Sequence, residues 1–196
     1  MTETTPPAYE PERTAAVTGP SAPPTAATHT GAITVADTDW QRRVDAVWTD
    51  DALTEAEVVE RIGALVAELD PTDPRGPFEL GGAHDSAGDE ARAAELYERA
   101  LELGLSGPAR AELTVQYGST LRNLGRTAEA VAFLESGERD PAHGAAPDAF
   151  LALALHSAGR ADEALAVALE ALIPHVPRYQ RSLRGYAAEL RKNSAT

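Results

Sequence analysis

The sequence predicts an all-α protein built from repeated helical hairpins. Between residues 37 and 193, apolar side chains recur every three or four positions, which is the spacing of one helix face. Glycine-centred turns divide this region, and an alanine follows each turn glycine five residues later: Gly88 with Ala93, Gly125 with Ala130, and Gly159 with Ala164. The glycines are 37 and 34 residues apart. This period indicates stacked two-helix units whose small residues let the helices pack closely.

The composition excludes several classes of protein. The 196 residues carry a formal net charge of −14, and such an acidic surface repels phosphate backbones, so we expect no nucleic-acid binding. The absence of cysteine excludes disulfides and thiolate metal sites. No apolar run is long enough to span a bilayer, and the first residues lack the features of a secretory signal. We therefore expect no membrane association and a cytoplasmic location.

The chain divides into a tail and a helical domain. Residues 1–36 are rich in Pro, Thr and Ala and contain few large apolar side chains. Such a segment cannot bury enough surface to offset the entropy lost on ordering, so we predict a disordered tail. The helical domain is expected over residues 37–196.

The domain is predicted to begin with a divergent hairpin over residues 37–73, which acts as an N-terminal helical cap. Trp40 and Trp48 fall on one apolar face of its first helix, so we expect both indoles to lie in the core. Thr54 and Glu57 have the spacing of a capping box, which marks the start of the second helix.

Three further hairpins are predicted over residues 75–107, 110–141 and 146–176. The first of them has two adjacent glycines, Gly81 and Gly82, within a helix. Glycine in mid-helix costs about 0.5 to 1 kcal/mol relative to alanine. We therefore expect a neighbouring element to approach these glycines too closely for side chains.

The period, the turn glycines and the small residues resemble the tetratricopeptide repeat. In the first unit, Leu80 and Gly81 match the Leu-Gly pair of the family's first helix, and Ala93, Tyr97 and Ala100 match positions of its second helix. The phrases FELGGAHDSAG, STLRNLGR, ALHSAGR and RYQRSLRGYA are similar to tetratrico peptide repeat group 5, a subgroup of small bacterial proteins. The resemblance implies a right-handed α-solenoid of about three repeats and a protein-interaction scaffold.

Residues 178–193 are predicted to form a C-terminal capping helix, because the last unit of a solenoid otherwise exposes an apolar face. At 100° per residue, one side of this helix is apolar and the other is basic. The apolar side consists of Tyr179, Leu183, Tyr186, Ala187 and Leu190, and the basic side of Arg178, Arg181, Arg184, Arg191 and Lys192.

In repeats of this type, the first helix of each hairpin lines the concave surface. Aligned on the turn glycines, Asp85, Arg122 and His156 are equivalent. One interpretation is a structural ladder in which Asp85 pairs with Arg122 and fixes the register of the hairpins. The other is a polar groove in which Arg122 receives a partner's carboxylate or phosphate. The predicted groove residues are Asp85, Ser86, Ser119, Arg122, Asn123, His156, Arg181 and Arg184.

The sequence contains no catalytic signature. His84, Asp85 and Ser86 are consecutive helix residues, which point about 100° apart and cannot form a triad. A metal site that combines His84 and Asp85 with His156 has no supporting motif. We therefore predict no catalytic residues, no metal and no cofactor.

These observations predict a non-catalytic scaffold whose concave groove binds a peptide or protein segment with carboxylates or other anionic groups. Two alternatives stay open. The first is a metal-dependent enzyme that uses the groove histidines, and the second is a homo-oligomer in which the acidic body of one copy meets the basic helix of another.

Overall fold

The computed structural model describes residues 35–194, and their side chains from residue 38 onwards. The predicted tail, apart from its last two residues, lies outside this range. The helices are α1 (Val35–Trp48), α2 (Glu55–Val66), α3 (Arg75–Ser86), α4 (Glu90–Glu102), α5 (Gly107–Asn123), α6 (Thr127–Ser136), α7 (Ala146–Ser157), α8 (Ala161–Leu172) and α9 (Gln180–Ser194). Short 3₁₀ turns follow α6 at Pro141–His143 and α8 at Ile173–His175.

The helices form a stack of antiparallel hairpins, which is the predicted all-α solenoid. Four hairpins follow one another, α1 with α2, α3 with α4, α5 with α6, and α7 with α8. The first helix of a hairpin packs on the hairpin before it: α5 contacts both α3 and α4, and α7 contacts both α5 and α6. Within residues 35–194 the structure contains no strand, and none of its helices is long and apolar enough to cross a membrane.

The turns repeat one hydrogen-bonding pattern. Gly88, Gly125 and Gly159 have φ of 77°, 76° and 78°, values that favour glycine. At the last of these turns, the amide of Arg160 donates to the carbonyl of Leu155 across 2.9 Å. The amide of Asp89 donates to His84 in the same way after α3, and the amide of Arg126 donates to Leu121 after α5. Helices α3, α5 and α7 therefore each end in a Schellman-type cap that reverses the chain.

The main core runs through the three repeats. Tyr97 is fully buried, and a Cβ built at Gly81 would lie 2.8 Å from its ring. In the next hairpin, a Cβ at Gly118 would lie 2.5 Å from Cγ of Leu134. The close approach predicted at Gly81 is therefore confirmed, and a similar contact recurs in α5. At Gly82 the prediction was wrong, because a Cβ there would lie 3.4 Å from the Trp48 ring, an ordinary contact.

The first hairpin has a core of its own. Trp40 is buried, and its indole Nε1 donates to the carbonyl of Leu65 across 2.9 Å. The predicted capping box at the start of α2 is present, with the Thr54 and Glu57 side chains each bonded to the other's backbone amide. The prediction for Trp48 was wrong, because its side chain is 38% exposed. Trp48 is the last residue of α1, and its indole lies beside Gly82 of α3 at the edge of an open cavity.

The last helix covers less of the stack than its apolar stripe predicted. α9 packs on α8 and on the 3₁₀ turn before it, and Ala187 is its one fully buried residue within the described range. Leu183 and Leu190 are half-buried, whereas Tyr179 and Tyr186 are exposed. The two tyrosines therefore do not pack as expected, because α9 lies along α8 and covers only a narrow strip.

Candidate binding groove

A cavity of about 410 Å³ opens where the first helices of successive hairpins meet. α1, α3 and α5 line it, and Tyr97 of α4 contributes part of its wall. Its acidic residues are Asp45, Glu79, Asp85 and Glu112. No lysine or arginine is among the lining residues, so within the described chain the carboxylates of this acidic pocket have no cation beside them in the cavity.

Hydrogen bonds hold the side chains of the acidic pocket in place. The indole Nε1 of Trp48 donates to Glu79 Oε2 across 2.9 Å. The Tyr97 hydroxyl donates to Oε1 of Gln116 across 3.1 Å, and the Gln116 Nε2 donates to Glu112 Oε1 across 3.0 Å. Bonds between α1 and α3 and between α4 and α5 therefore hold the two aromatic side chains, and a bond within α5 holds Glu112.

Two carboxyls of the acidic pocket are easier to protonate than usual. Burial raises the pKa of Glu79, and the nearby charges of Glu112 and Asp45 add to this effect against the hydrogen bonds from Trp48 and Gln41. Burial also raises the pKa of Asp85, against a hydrogen bond that lowers it. Both carboxylates are therefore costlier to keep ionised in the folded protein than in water.

The predicted pair between Asp85 and Arg122 does not form. Asp85 Oδ1 accepts from the hydroxyl of Thr120 at 2.9 Å, while Arg122 Nε donates to Oγ of Ser157 at 2.9 Å and its Nη1 lies 3.3 Å from Asn123 Oδ1. Thr120 lies on the side of α5 that faces α3, whereas Arg122, two positions later, extends towards α7. Each side chain thus reaches the next hairpin, but by a separate contact.

Two ion pairs that join hairpins lie at the second helices. Arg126, at the start of α6, is 3.3 Å from Glu98 of α4, and Arg160, at the start of α8, is 3.8 Å from Glu135 of α6. These two pairs occupy corresponding positions in successive repeats. All four side chains are partly exposed, so each pair contributes about 0 to 1 kcal/mol.

The remaining predicted groove residues are dispersed. Ser86 lines the acidic pocket, and Ser119 is half-buried on α5. His156 lines a different cavity, between α7 and α8. Arg181 and Arg184 lie on α9, which makes no extensive contact with α5 in the described part of the chain, so the structure does not group them with Arg122.

The histidines do not form a metal site. His84 Nδ1 lies 3.3 Å from Asp89 Oδ2, whereas Asp85 is bonded to Thr120 and His156 lies two hairpins away from both. Across residues 38–194, no three histidine or acidic side chains come together in a way that could hold a metal ion.

Most of the residues that line the acidic pocket were not predicted as groove residues, although Asp85 and Ser86 were. Trp48 was assigned to the core, and Glu79, Glu112 and Gln116 were not considered. A signal was present, because Glu112 and Gln116 are four residues apart on the side of α5 that carries Thr120. A second signal was Gly82, where a Cβ would lie 3.4 Å from the Trp48 ring.

Comparison with protein families places the chain beside a known repeat family. The family model described as tetratrico peptide repeat matches residues 74–190, which is more than half of the 196-residue chain and spans α3 to nearly the end of α9. Comparison with curated proteins gave no match.

Proposed function

Because the chain belongs to the tetratricopeptide repeat family, whose members generally mediate protein–protein interaction, we propose that it is a non-catalytic module that binds a segment of a partner protein along α1, α3, α5 and α7. The observation that carries this proposal is the acidic pocket between α1, α3 and α5, with the exposed indole of Trp48 on its wall. The partner segment inserts a lysine or arginine side chain there.

The charges and the aromatic wall support a cationic anchor. Four carboxylates converge on a cavity with no basic side chain, so a guanidinium or ammonium group relieves their mutual repulsion. A cation against the face of an indole gains about 0.5 to 2 kcal/mol. Burial is the main cause of the raised pKa of Glu79, and the nearby charges of Glu112 and Asp45 add to it. A bound cation would supply the stabilisation that the carboxylate loses on burial.

The anionic groups predicted for the partner do not fit the acidic pocket, but they fit the surface around Arg122. At the acidic pocket a carboxylate would be repelled. Arg122 is different, since its hydrogen bonds go to Ser157 and Asn123, and no carboxylate within residues 38–194 pairs with it. We therefore place a partner carboxylate at Arg122, one hairpin beyond the residue that enters the acidic pocket.

Titration with short blocked peptides tests the cationic anchor. Gly-Arg-Gly and Gly-Lys-Gly should change the fluorescence of Trp48, and Gly-Glu-Gly should not. The chain has two tryptophans, and Trp40 is buried, so the Trp48→Phe variant should lose the response. Glu79→Gln should weaken binding about tenfold or more, which corresponds to about 1.4 kcal/mol.

The matched control is Glu60→Gln, which removes one charge from an exposed position on α2. It should bind the arginine peptide as wild type does. An equal response to the glutamate peptide, or an equal loss in Glu60→Gln and Glu79→Gln, would contradict the proposal.

A longer peptide tests the second anchor. Adding a glutamate through a glycine linker to the arginine peptide should tighten binding for at least one linker length. Arg122→Ala should remove this gain and leave the binding of the arginine peptide unchanged. A gain that persists in Arg122→Ala would place the carboxylate elsewhere.

A further inference from the structure

The C-terminal end of the stack carries an uncovered apolar surface. Leu153 of α7 is 48% exposed, and Leu165 and Leu172 of α8 are 51% and 48% exposed. Of the seven large hydrophobic side chains that are exposed in residues 38–194, five lie in or next to α7, α8 and α9: Leu153, Leu165, Leu172, Tyr179 and Tyr186. Such a concentration marks an interaction surface.

Two grooves meet on this surface. One, of about 550 Å³, lies between α7 and α8 and includes Leu153 and Leu172. The other, of about 450 Å³, lies between α8 and α9 and includes Leu165 and Tyr186. Leu165 and Leu172 are seven residues apart, so they lie on the same side of α8 and join the two grooves into one surface, which we call the end surface.

The end surface is open because α9 is not placed like the other first helices. α7 packs against both helices of the hairpin before it, whereas α9 packs along α8 and makes no contact of similar extent with α7. The first helix of a following hairpin would occupy the groove between α7 and α8. Because α9 does not lie there, this groove stays open. An uncovered terminal repeat is unfavourable in a solenoid, since its apolar face stays in water.

We propose that a second copy of this chain covers the end surface, so that two chains pair through their C-terminal ends about a twofold axis. Outside α7 to α9, the exposed large hydrophobic side chains of the described chain are Trp48, which lines the acidic pocket, and Leu124, which follows α5. Within residues 38–194, a second copy therefore offers a matching apolar area only through its own end surface. A surface that pairs with itself gives a closed dimer rather than a filament.

The charge distribution also favours this pairing. The chain carries a net charge of −14, so two copies repel each other over most of their surfaces. Among the residues that line the two grooves, Glu189 is the one carboxylate, and His156 and His175 are the other titratable groups apart from Tyr186. Residues 178–196 contain five basic residues and one acidic residue, so repulsion is weakest at this end.

The chain's own N-terminal segment is a poorer occupant. Residues 1–34 contain four large apolar side chains, Met1, Tyr9, Val17 and Ile33, which are too few and too widely spaced to cover both grooves.

Sedimentation equilibrium of the full chain tests the proposal. The 20.6 kDa chain should show a mass that rises towards twice that value with protein concentration. The double variant Leu165→Glu with Leu172→Glu should raise the dimer dissociation constant at least about tenfold, because pairing would bury two new charges on each copy. Leu153→Glu on α7 gives a second test from a different helix.

Leu124→Glu is the matched control, since it adds the same charge at a leucine that is 37% exposed outside the end surface. It should leave the dissociation constant unchanged, and circular dichroism should show native helicity in all variants. High salt should preserve the dimer, because apolar burial is not screened. A monomer at all concentrations, a dimer that dissociates in salt, or a dimer that survives both sets of end-surface variants would overturn the proposal.

Discussion

Glu79 serves the proposed binding site at a cost to the stability of the fold. Folding places its carboxylate on α3 beside the charges of Asp45 and Glu112, with a hydrogen bond from Trp48 as partial compensation. A group that is costly to keep ionised in the folded state lowers stability at neutral pH. Such a cost is typical of binding sites, where stability is traded for function.

The pH dependence of stability should reveal this cost. Burial and neighbouring charges raise the pKa of Glu79 above its reference value of 4.5, so the folded state binds this proton more tightly than the unfolded state. The resulting stabilisation is present below about pH 4.5 and is lost as the pH rises through the raised pKa. Glu79→Gln cannot ionise, so it should melt at a higher temperature than wild type at pH 7.

The difference between Glu79→Gln and wild type should shrink towards zero as the pH falls to 4. Thermal melts over this range, followed by circular dichroism, measure it. Glu60→Gln, at an exposed position, should show no such pH-dependent gain. A stability difference between Glu79→Gln and wild type that is the same at pH 4 and pH 7 would contradict the raised pKa, because the difference changes with pH only if folding shifts the pKa of Glu79.

At the scale of the helices, contact distance decides which positions tolerate a methyl group. Gly118 lies in the middle of α5, and an added Cβ would lie 2.5 Å from Cγ of Leu134, which is itself buried and cannot move aside. Gly118→Ala should therefore lower the free energy of unfolding by about 1 to 3 kcal/mol. Urea denaturation with an unchanged m-value measures the loss.

Gly185 is the control for helix propensity. It lies within α9, and a Cβ there would meet nothing within 4 Å. Gly185→Ala should leave stability unchanged or raise it by up to about 1 kcal/mol. If both alanine variants were stabilising, helix propensity would outweigh the close packing of α5 against α6.

The helices that the sequence predicted well are those with local signals. Gly88, Gly125 and Gly159 mark turns that need a positive φ, and Gly81 marks a contact that excludes a side chain. These requirements act within a few residues or one hairpin, so they can be recognised in the sequence. They were sufficient to predict the fold class and the family.

What could not be predicted depends on how one hairpin sits on the next. Trp48 has core spacing on α1, but the space opposite it is the acidic pocket rather than another helix. Asp85 and Arg122 are equivalent in sequence, yet neighbours on the next hairpin supply better partners for each. The side of α9 that is covered likewise depends on where the helix docks. These contacts can be assigned only from the three-dimensional arrangement of the hairpins.

At the scale of the whole molecule, burial is uneven along the stack. The largest core cluster extends from α3 to α8, whereas α1, α2 and α3 share a smaller cluster around Trp40 and Ile62. α9 adds one fully buried side chain to the described core, Ala187, and an ion pair between Arg191 and Glu170. Because local opening needs less energy where few apolar contacts are broken, we expect stability to fall from the middle of the stack to α9.

Amide hydrogen exchange should follow this gradient. In dilute protein, the amides of α5 and α7 should exchange most slowly and those of α9 fastest, since α5 and α7 each pack against two helices of the preceding hairpin. Raising the protein concentration should slow exchange in α8 and α9, where the proposed dimer buries the end surface, and leave α1 to α4 unchanged. The Leu165→Glu with Leu172→Glu variant should lose only this concentration dependence. Protection of α9 equal to that of α5 in dilute protein would contradict the gradient, because a helix with one buried side chain would then unfold only with the whole stack.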